Sequence, residues 1–202
     1  MLSLFQIIVL IFSAIIHEYM HGWMADRLGD NTARLAGRLT LNPLVHLEWF
    51  GSVLLPGLML LSGMPFVFGW AKPVPYNPYN LRDRRWGGAK VALAGPAANF
   101  IVALAFGLLL RLLPFISLTF SGLIALIIYI NLILMIFNLL PIPPLDGSRV
   151  LAGMLPNRAG QIMAQIEPYG LIILVVLLMS GVLNLMPMVN TIRHFILALF
   201  FS

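Results

Sequence analysis

The sequence has no cysteine, and only seven of its 202 residues are acidic. Without thiols there is no disulfide scaffold, no thiolate metal site and no cysteine nucleophile, so any bound metal must be held by histidine, aspartate or glutamate. Charge of either sign is scarce: 9% of residues are charged, against the roughly 25% with which an ordinary soluble domain coats its surface. With 60% hydrophobic residues and a mean hydropathy of +0.97, the chain is built for lipid. About five or six apolar segments of ~20 residues use more than half its length and leave no large soluble domain, so one domain over 1–202 is expected. A basic n-region and a small-residue cleavage site are also missing. Met1 to Ile16 runs straight into His17 and Glu18 and reads as part of the mature protein, not as a removable signal peptide. The formal charge of +5 fits membrane topology and anionic headgroups better than nucleic acid.

What is present predicts an all-α multi-span membrane protein. Spans are expected over residues 2–24, 91–113, 118–140 and 169–186, with a short apolar tail over 191–201 whose length leaves spanning open. Residues 50–70 are apolar but broken by Pro56, Gly57, Gly63, Pro65 and Gly69, which argues against one straight helix. The stretch from Lys72 to Lys90 is basic and carries Pro73, Pro75 and Pro78, as an extended loop outside the hydrocarbon would. Small residues over Ala94-Gly95-Pro96-Ala97-Ala98 precede Asn99 and suit close helix packing.

The string His17-Glu18-Tyr19-Met20-His21 carries the chemistry. On a helix, positions four apart share a face, so both imidazoles can bind one Zn²⁺ while Glu18 approaches a metal-bound water. With four histidines in the chain, chance gives this pattern at a probability on the order of 0.1%. Ionisable groups within an apolar segment are costly to insert, and they usually face a cavity and serve a function. A catalytic zinc needs a third protein ligand and an open position. The metzincin continuation fails, because Met24 and Arg27 stand where its glycine and third histidine belong. Asp26 and Asp30 suit surface or capping roles, His46 and Glu48 suit interfacial anchoring beside Trp49, and Asp83 suits an ion pair among Arg82, Arg84 and Arg85. Asp146 differs. It ends an apolar run behind Pro141, Pro143 and Pro144, where a lone carboxylate is expensive, and Gly147 would permit a turn that swings it toward a metal. It is the expected third ligand; the competing role is a cap for the segment starting at Ser148.

These motifs together resemble the site-2 proteases, intramembrane zinc metalloproteases. The matching pieces are His17-Glu18-Tyr19-Met20-His21, Gly95-Pro96-Ala97-Ala98-Asn99, and Asn138 through Pro141-Ile142-Pro143-Pro144-Leu145 to Asp146-Gly147, in that order over about 130 residues. The resemblance implies that His17, His21 and Asp146 hold one zinc ion, that Glu18 activates water, and that segments 91–113 and 118–140 complete a three-helix core. It also implies that Asn99 and Asn138 line the pocket, holding substrate backbone or stabilising an oxyanion; interhelical hydrogen bonding is the alternative. Some members carry a PDZ or CBS domain, for which this chain has no room, so a compact member is expected.

A topological expectation is independent of the resemblance. If His17 and Asp146 share a metal, the C-terminal ends of segments 2–24 and 118–140 lie at one membrane face, so one intervening apolar stretch must be re-entrant, and 50–70 is the candidate. The loops 26–49, 71–90 and 141–167 then share a side and hold 3, 5 and 2 basic residues, or 10 of the 12, leaving Arg111 and Arg193 opposite. The positive-inside rule places that side in the cytosol. The expected reaction is peptide hydrolysis, with Glu18 taking the water proton and returning it to the departing amine. The expected substrate is the locally unwound transmembrane segment of another protein, clamped through edge pairing by the strand-like Trp70–Pro75 region. A cation transporter using the same His, Glu and Asp cluster is the rival reading.

Overall fold

A computed structural model describes residues 2–62, 72–113, 117–155, 157–181 and 185–201, and all regular structure among them is helical. Helix α1 (Leu2–Arg27) ends at Gly29, whose φ of 109° turns the chain. Two short helices follow, α2 (Thr32–Leu35) and α3 (Pro43–His46). A π-helical stretch, Trp49–Leu54, leads into α4 (Leu55–Leu61), with Pro56 in its first turn. An extended segment reaches a single 3₁₀ turn at Pro78–Asn80. Helix α5 (Gly87–Leu112) then starts where the Asp83 carboxylate accepts the Arg85 and Trp86 N–H groups at 3.2 and 2.8 Å. Helix α6 (Leu118–Asn138) starts at Ser117, whose hydroxyl caps Phe120 N–H. The chain closes with α7 (Asp146–Met154), α8 (Asn157–Met179) and α9 (Met186–Phe201).

Among the described residues, three helices are long and apolar enough to cross a membrane: α1, α5 and α6. At 26, 26 and 21 residues they extend about 39, 39 and 31 Å, against a hydrocarbon core of about 30 Å. Helix α5 lies between the other two. Its buried positions are nearly all small, among them Ala92, Ala94, Gly95, Ala98, Ala103 and Gly107, which lets neighbouring backbones close in by van der Waals packing. Ala103 joins Ile124, Ile128, Leu132 and Ile136 of α6 and Val189 and Ile196 of α9 in an apolar core. Large apolar side chains such as Leu4, Ile101, Leu112 and Leu118 stay exposed, as a lipid-facing surface requires. The protein is an integral membrane protein.

The N-terminal part of α5 packs against the C-terminal part of α1, and the connection 28–86 therefore leaves and returns at one end of the bundle. Residues 50–61 of the expected 50–70 element lie in that connection, within the π-helical stretch and α4; residues 63–70 lie outside the described residues. The span expected over 169–186 has other bounds. Helix α8 begins at Asn157 and stops at Met179, because Gly181 takes a φ of 71°. The tail is helical, but its 16 residues reach only about 24 Å.

Candidate active site

His17 and His21 stand one turn apart on α1, ten residues or about 15 Å of helix before its end at Arg27 in the case of His17. Asp146 opens α7, just past the proline turn that follows α6. Its Oδ2 lies 3.0 Å from His17 Nε2 and 3.2 Å from His21 Nε2. The two rings sit edge to face with centroids 4.6 Å apart. Among the described residues this is the one group of three or more such side chains arranged to hold a metal ion.

The hydrogen bonds behind the rings fix which nitrogen carries the proton. His21 Nδ1 faces the Val91 carbonyl at 2.7 Å, and a carbonyl only accepts, so Nδ1 is protonated. For His17 the logic runs through α6. Asn131 Nδ2 donates to the Ile127 carbonyl and to Ser13 Oγ, so Asn131 Oδ1 faces Asn99. Asn99 Nδ2 donates to that oxygen at 3.0 Å and to the Ser13 carbonyl at 3.2 Å. Asn99 Oδ1 is thereby turned to His17 Nδ1, which donates to it at 2.6 Å. With Nδ1 committed as the donor behind both rings, Nε2 is the nitrogen left facing Asp146 Oδ2, where a proton or a metal ion offsets the repulsion between nitrogen lone pair and carboxylate. Ligand atoms around a four-coordinate zinc are about 3.3 Å apart, close to the 3.0 and 3.2 Å found here. The donor set fits a divalent metal.

Two glycines make the approach possible. A Cβ on Gly95 would fall 2.5 Å from His21 Nε2 and 2.6 Å from His17 Nε2, so α5 can lie against both rings only without one. A Cβ on Gly147 would meet the Leu139 carbonyl oxygen at 2.1 Å. The sequence suggested that Gly147 provides a special turn. It is instead an ordinary helical residue of α7, outside the positive-φ set, and its bare Cα lets α7 abut the end of α6.

Glu18 is half-buried, one step round α1 from His17, and its Oε2 accepts the Val74 N–H at 2.9 Å. Lys72 N–H donates to the His46 carbonyl at 2.8 Å, and Pro73 and Pro75 have none. Residues 72–75 therefore keep no N–H for the edge pairing expected of Trp70–Pro75; Trp70 and Ala71 lie outside the described residues. Asn138 closes α6 with its Nδ2 donating to the Leu134 carbonyl of its own helix. Asn99, fully buried, spends its side chain on His17, Ser13 and Asn131.

The remaining acids take other work. Asp26 pairs with Arg34, and Asp83 pairs with Lys90 at 2.6 Å, not with its flanking arginines. Asp30 is not a surface residue: it is fully buried, bonds the Thr32 N–H and hydroxyl, and accepts the Asn77 N–H at 2.6 Å and Asn80 Nδ2 at 2.9 Å. Burial opposes its ionisation, but the bonds from Thr32, Asn77 and Asn80 outweigh that and hold its carboxyl below the ordinary 3.8. His46 is buried with Nε2 donating to the Thr40 carbonyl at 2.7 Å.

The model of the family described as Peptidase family M50 matches residues 5–119 and 113–181. The chain belongs to peptidase family M50. It is 39% identical over 206 aligned positions to the candidate zinc metalloprotease YwhC of Bacillus subtilis (strain 168), spanning 97% of this chain and 90% of that protein. It is 35% identical to the candidate zinc metalloprotease Rip2 of Mycolicibacterium smegmatis, over 85% of this chain and 65% of the relative. Against the candidate zinc metalloprotease MJ0611 of Methanocaldococcus jannaschii the identity is 32%, over 73% and 72%. No solved structure matches the chain. As an M50 member the protein is a metallopeptidase of the site-2 protease type, which disfavours the transporter reading of the same cluster.

Proposed function

We propose that this M50 peptidase is a zinc-dependent intramembrane endopeptidase that cuts a peptide bond in or near the transmembrane segment of a membrane protein. The observation that carries the reading is the convergence of His17 Nε2, His21 Nε2 and Asp146 Oδ2, with both Nδ1 protons tied down behind the rings. Zinc is the metal in the relatives' names, and two imidazoles with one carboxylate form a donor set characteristic of its catalytic sites. His17, His21 and Asp146 would hold the ion, which when bound supplies Lewis acidity to a water and to the scissile carbonyl.

The chain's own groups do the rest. Glu18, on the same helix as both histidines, takes the proton from water and delivers it to the departing amine. Asn99 acts through His17: by accepting from Nδ1 it fixes the ring's orientation and leaves Nε2 as the nitrogen that faces Asp146. We assign it to that role and not to substrate; Asn138, at the end of α6 just before the proline turn, is kept as a residue beside the substrate path.

A substrate helix hides its carbonyls in its own hydrogen bonds and must unwind locally before a bond can reach Glu18. Residues 28–86 return to the bundle end they left, which supports a re-entrant element over 50–70 shielded by protein. With 10 of the 12 basic residues in the three loops on that side, the site faces the cytosol. The test is Glu18→Gln in detergent or liposomes against a model transmembrane substrate. Cleavage falls by about 100-fold to 10,000-fold while zinc stays bound; cleavage at the wild-type rate would refute the assignment.

A further inference from the structure

The segment Lys72-Pro73-Val74-Pro75-Tyr76-Asn77-Pro78 is written in proline. Each proline holds the residue before it extended and removes its own N–H, so between Lys72 and Tyr76 the chain has a single donor, that of Val74. That donor is the one spent on Glu18 Oε2. Two buried charges grip the segment on either side. Arg38, 7% exposed, directs Nη2 to the Lys72 and Pro73 carbonyls at 2.8 and 3.4 Å, while Nη1 donates to the Val45 carbonyl at 2.6 Å. Beyond Val74, the buried Asp30 carboxylate accepts the Asn77 N–H. The Val74 side chain is itself buried over Gly22, one turn past Glu18 on α1, where a Cβ would fall 2.7 Å from Val74 Cγ1.

Burying a guanidinium and a carboxylate is costly, and hydrogen bonds offset the cost. Here neither neutralises the other: Arg38 divides its bonds between the strap carbonyls and Val45, Asp30 divides its own between the Asn77 N–H of the strap and Thr32 and Asn80, and the strap delivers one N–H to one oxygen of Glu18. We propose that Arg38 and Asp30 are positioning residues for Glu18: they clamp residues 72–77 so that the Val74 N–H pins one oxygen of its carboxylate and sets the direction in which the other faces. This rests on the reading of Glu18 as the base. Misplacing a catalytic group by about 1 Å costs about 100-fold in rate, so a loosened strap reads out in turnover while the metal, held by other residues, is retained.

The experiment uses the full-length protein with a model transmembrane substrate and three changes: Arg38→Ala, Arg38→Lys, and replacement of the Val74 amide by an ester, which deletes the N–H and keeps every side chain. Arg38→Ala lowers kcat by about 10-fold to 100-fold with KM within about twofold and zinc per chain unchanged. Arg38→Lys, which can still reach one carbonyl, recovers part of the loss. The ester alone reproduces the fall in kcat, and adding Arg38→Ala to it costs little more, because both act through one bond. In the metal-free protein, hydrogen exchange at the Val74 amide is slow and becomes faster in Arg38→Ala. Loss of zinc, a change confined to KM, or multiplying effects in the double variant would each overturn the proposal. Should Arg38→Ala fail to fold, the ester decides: wild-type kcat in the ester overturns it. Glu18→Gln, assayed alongside, separates the two claims. If Glu18→Gln is active, the base assignment fails; if it is inactive while the ester turns over normally, only the strap fails.

Discussion

Replacing Gly95 by alanine adds one carbon and tests the packing that permits the metal site. The new Cβ would sit 2.5 Å from His21 Nε2, 2.6 Å from His21 Cε1 and 2.6 Å from His17 Nε2, far inside van der Waals contact. The rings cannot step back freely, because His17 Nδ1 is bonded to Asn99 at 2.6 Å and His21 Nδ1 to the Val91 carbonyl at 2.7 Å. Either these bonds break or α5 moves off α1, and overpacking of this kind costs about 1–3 kcal/mol. Losing one such supporting bond weakens metal binding by about 10-fold to 100-fold, so losing both gives at least about 100-fold, equivalent to about 2.8 kcal/mol. The substitution has an opposite effect on the helix itself, where alanine is favoured over glycine by about 0.8–1.0 kcal/mol. A fall in zinc affinity therefore cannot be ascribed to a melted α5. The assay is competition for zinc with a chromophoric chelator on purified protein, with a thermal melt of the metal-free form as control. Gly95→Ala binding zinc within about threefold of wild type would refute the reasoning, since it would mean that the rings and α5 are not in contact as described.

Further predictions follow from neighbouring residues. Asn99→Ala leaves His17 Nδ1 without its acceptor and lowers zinc affinity by about 10-fold to 100-fold in the same competition assay, and Asn131→Ala, one bond further out, has a smaller effect of the same sign. Gly147→Val drives side-chain carbons into the Leu139 carbonyl, displaces α7 with Asp146, and abolishes stoichiometric zinc while α1, α5 and α6 keep their helical circular dichroism. Asp30→Asn removes charge-assisted bonds and costs about 1–3 kcal/mol at pH 7. Because the Asp30 carboxyl is held below its ordinary 3.8, its contribution is complete above that pH and is lost as pH falls through the lower folded value. The gap in melting temperature between wild type and Asp30→Asn accordingly closes on acidification, and a gap that widened would contradict the sign.

The residues proposed for the site were legible because their signal is local or energetic. His17, Glu18 and His21 announce themselves by helical spacing, and Asp146 by the cost of a carboxylate at the end of an apolar run. The supports were less so. Asn131 carries the same cost signal as Asn138, a polar side chain in the apolar run of α6, yet only the fold shows that, fixed by Ser13 Oγ and the Ile127 carbonyl, it accepts from Asn99 and so orients it. Gly95 stood within a run of small residues read as a packing face, and the fact that it faces two imidazoles depends on the rotation of α5 against α1. Asp30 read as a surface or capping carboxylate and Arg38 only as one of the basic residues of loop 26–49; their burial follows from partners more than thirty residues away in sequence. Boundaries shifted where a glycine intervened, as at Gly181 after α8.

The central claim is that two imidazoles from α1 and one carboxylate from the start of α7 bind the same zinc ion. X-ray absorption at the zinc edge of the purified protein tests it most directly. The account predicts one ion per chain with a shell of two imidazoles and oxygen, reduced to a single imidazole by His21→Ala. A shell with fewer than two imidazoles in the unaltered protein, or one left unchanged by His21→Ala, would contradict it.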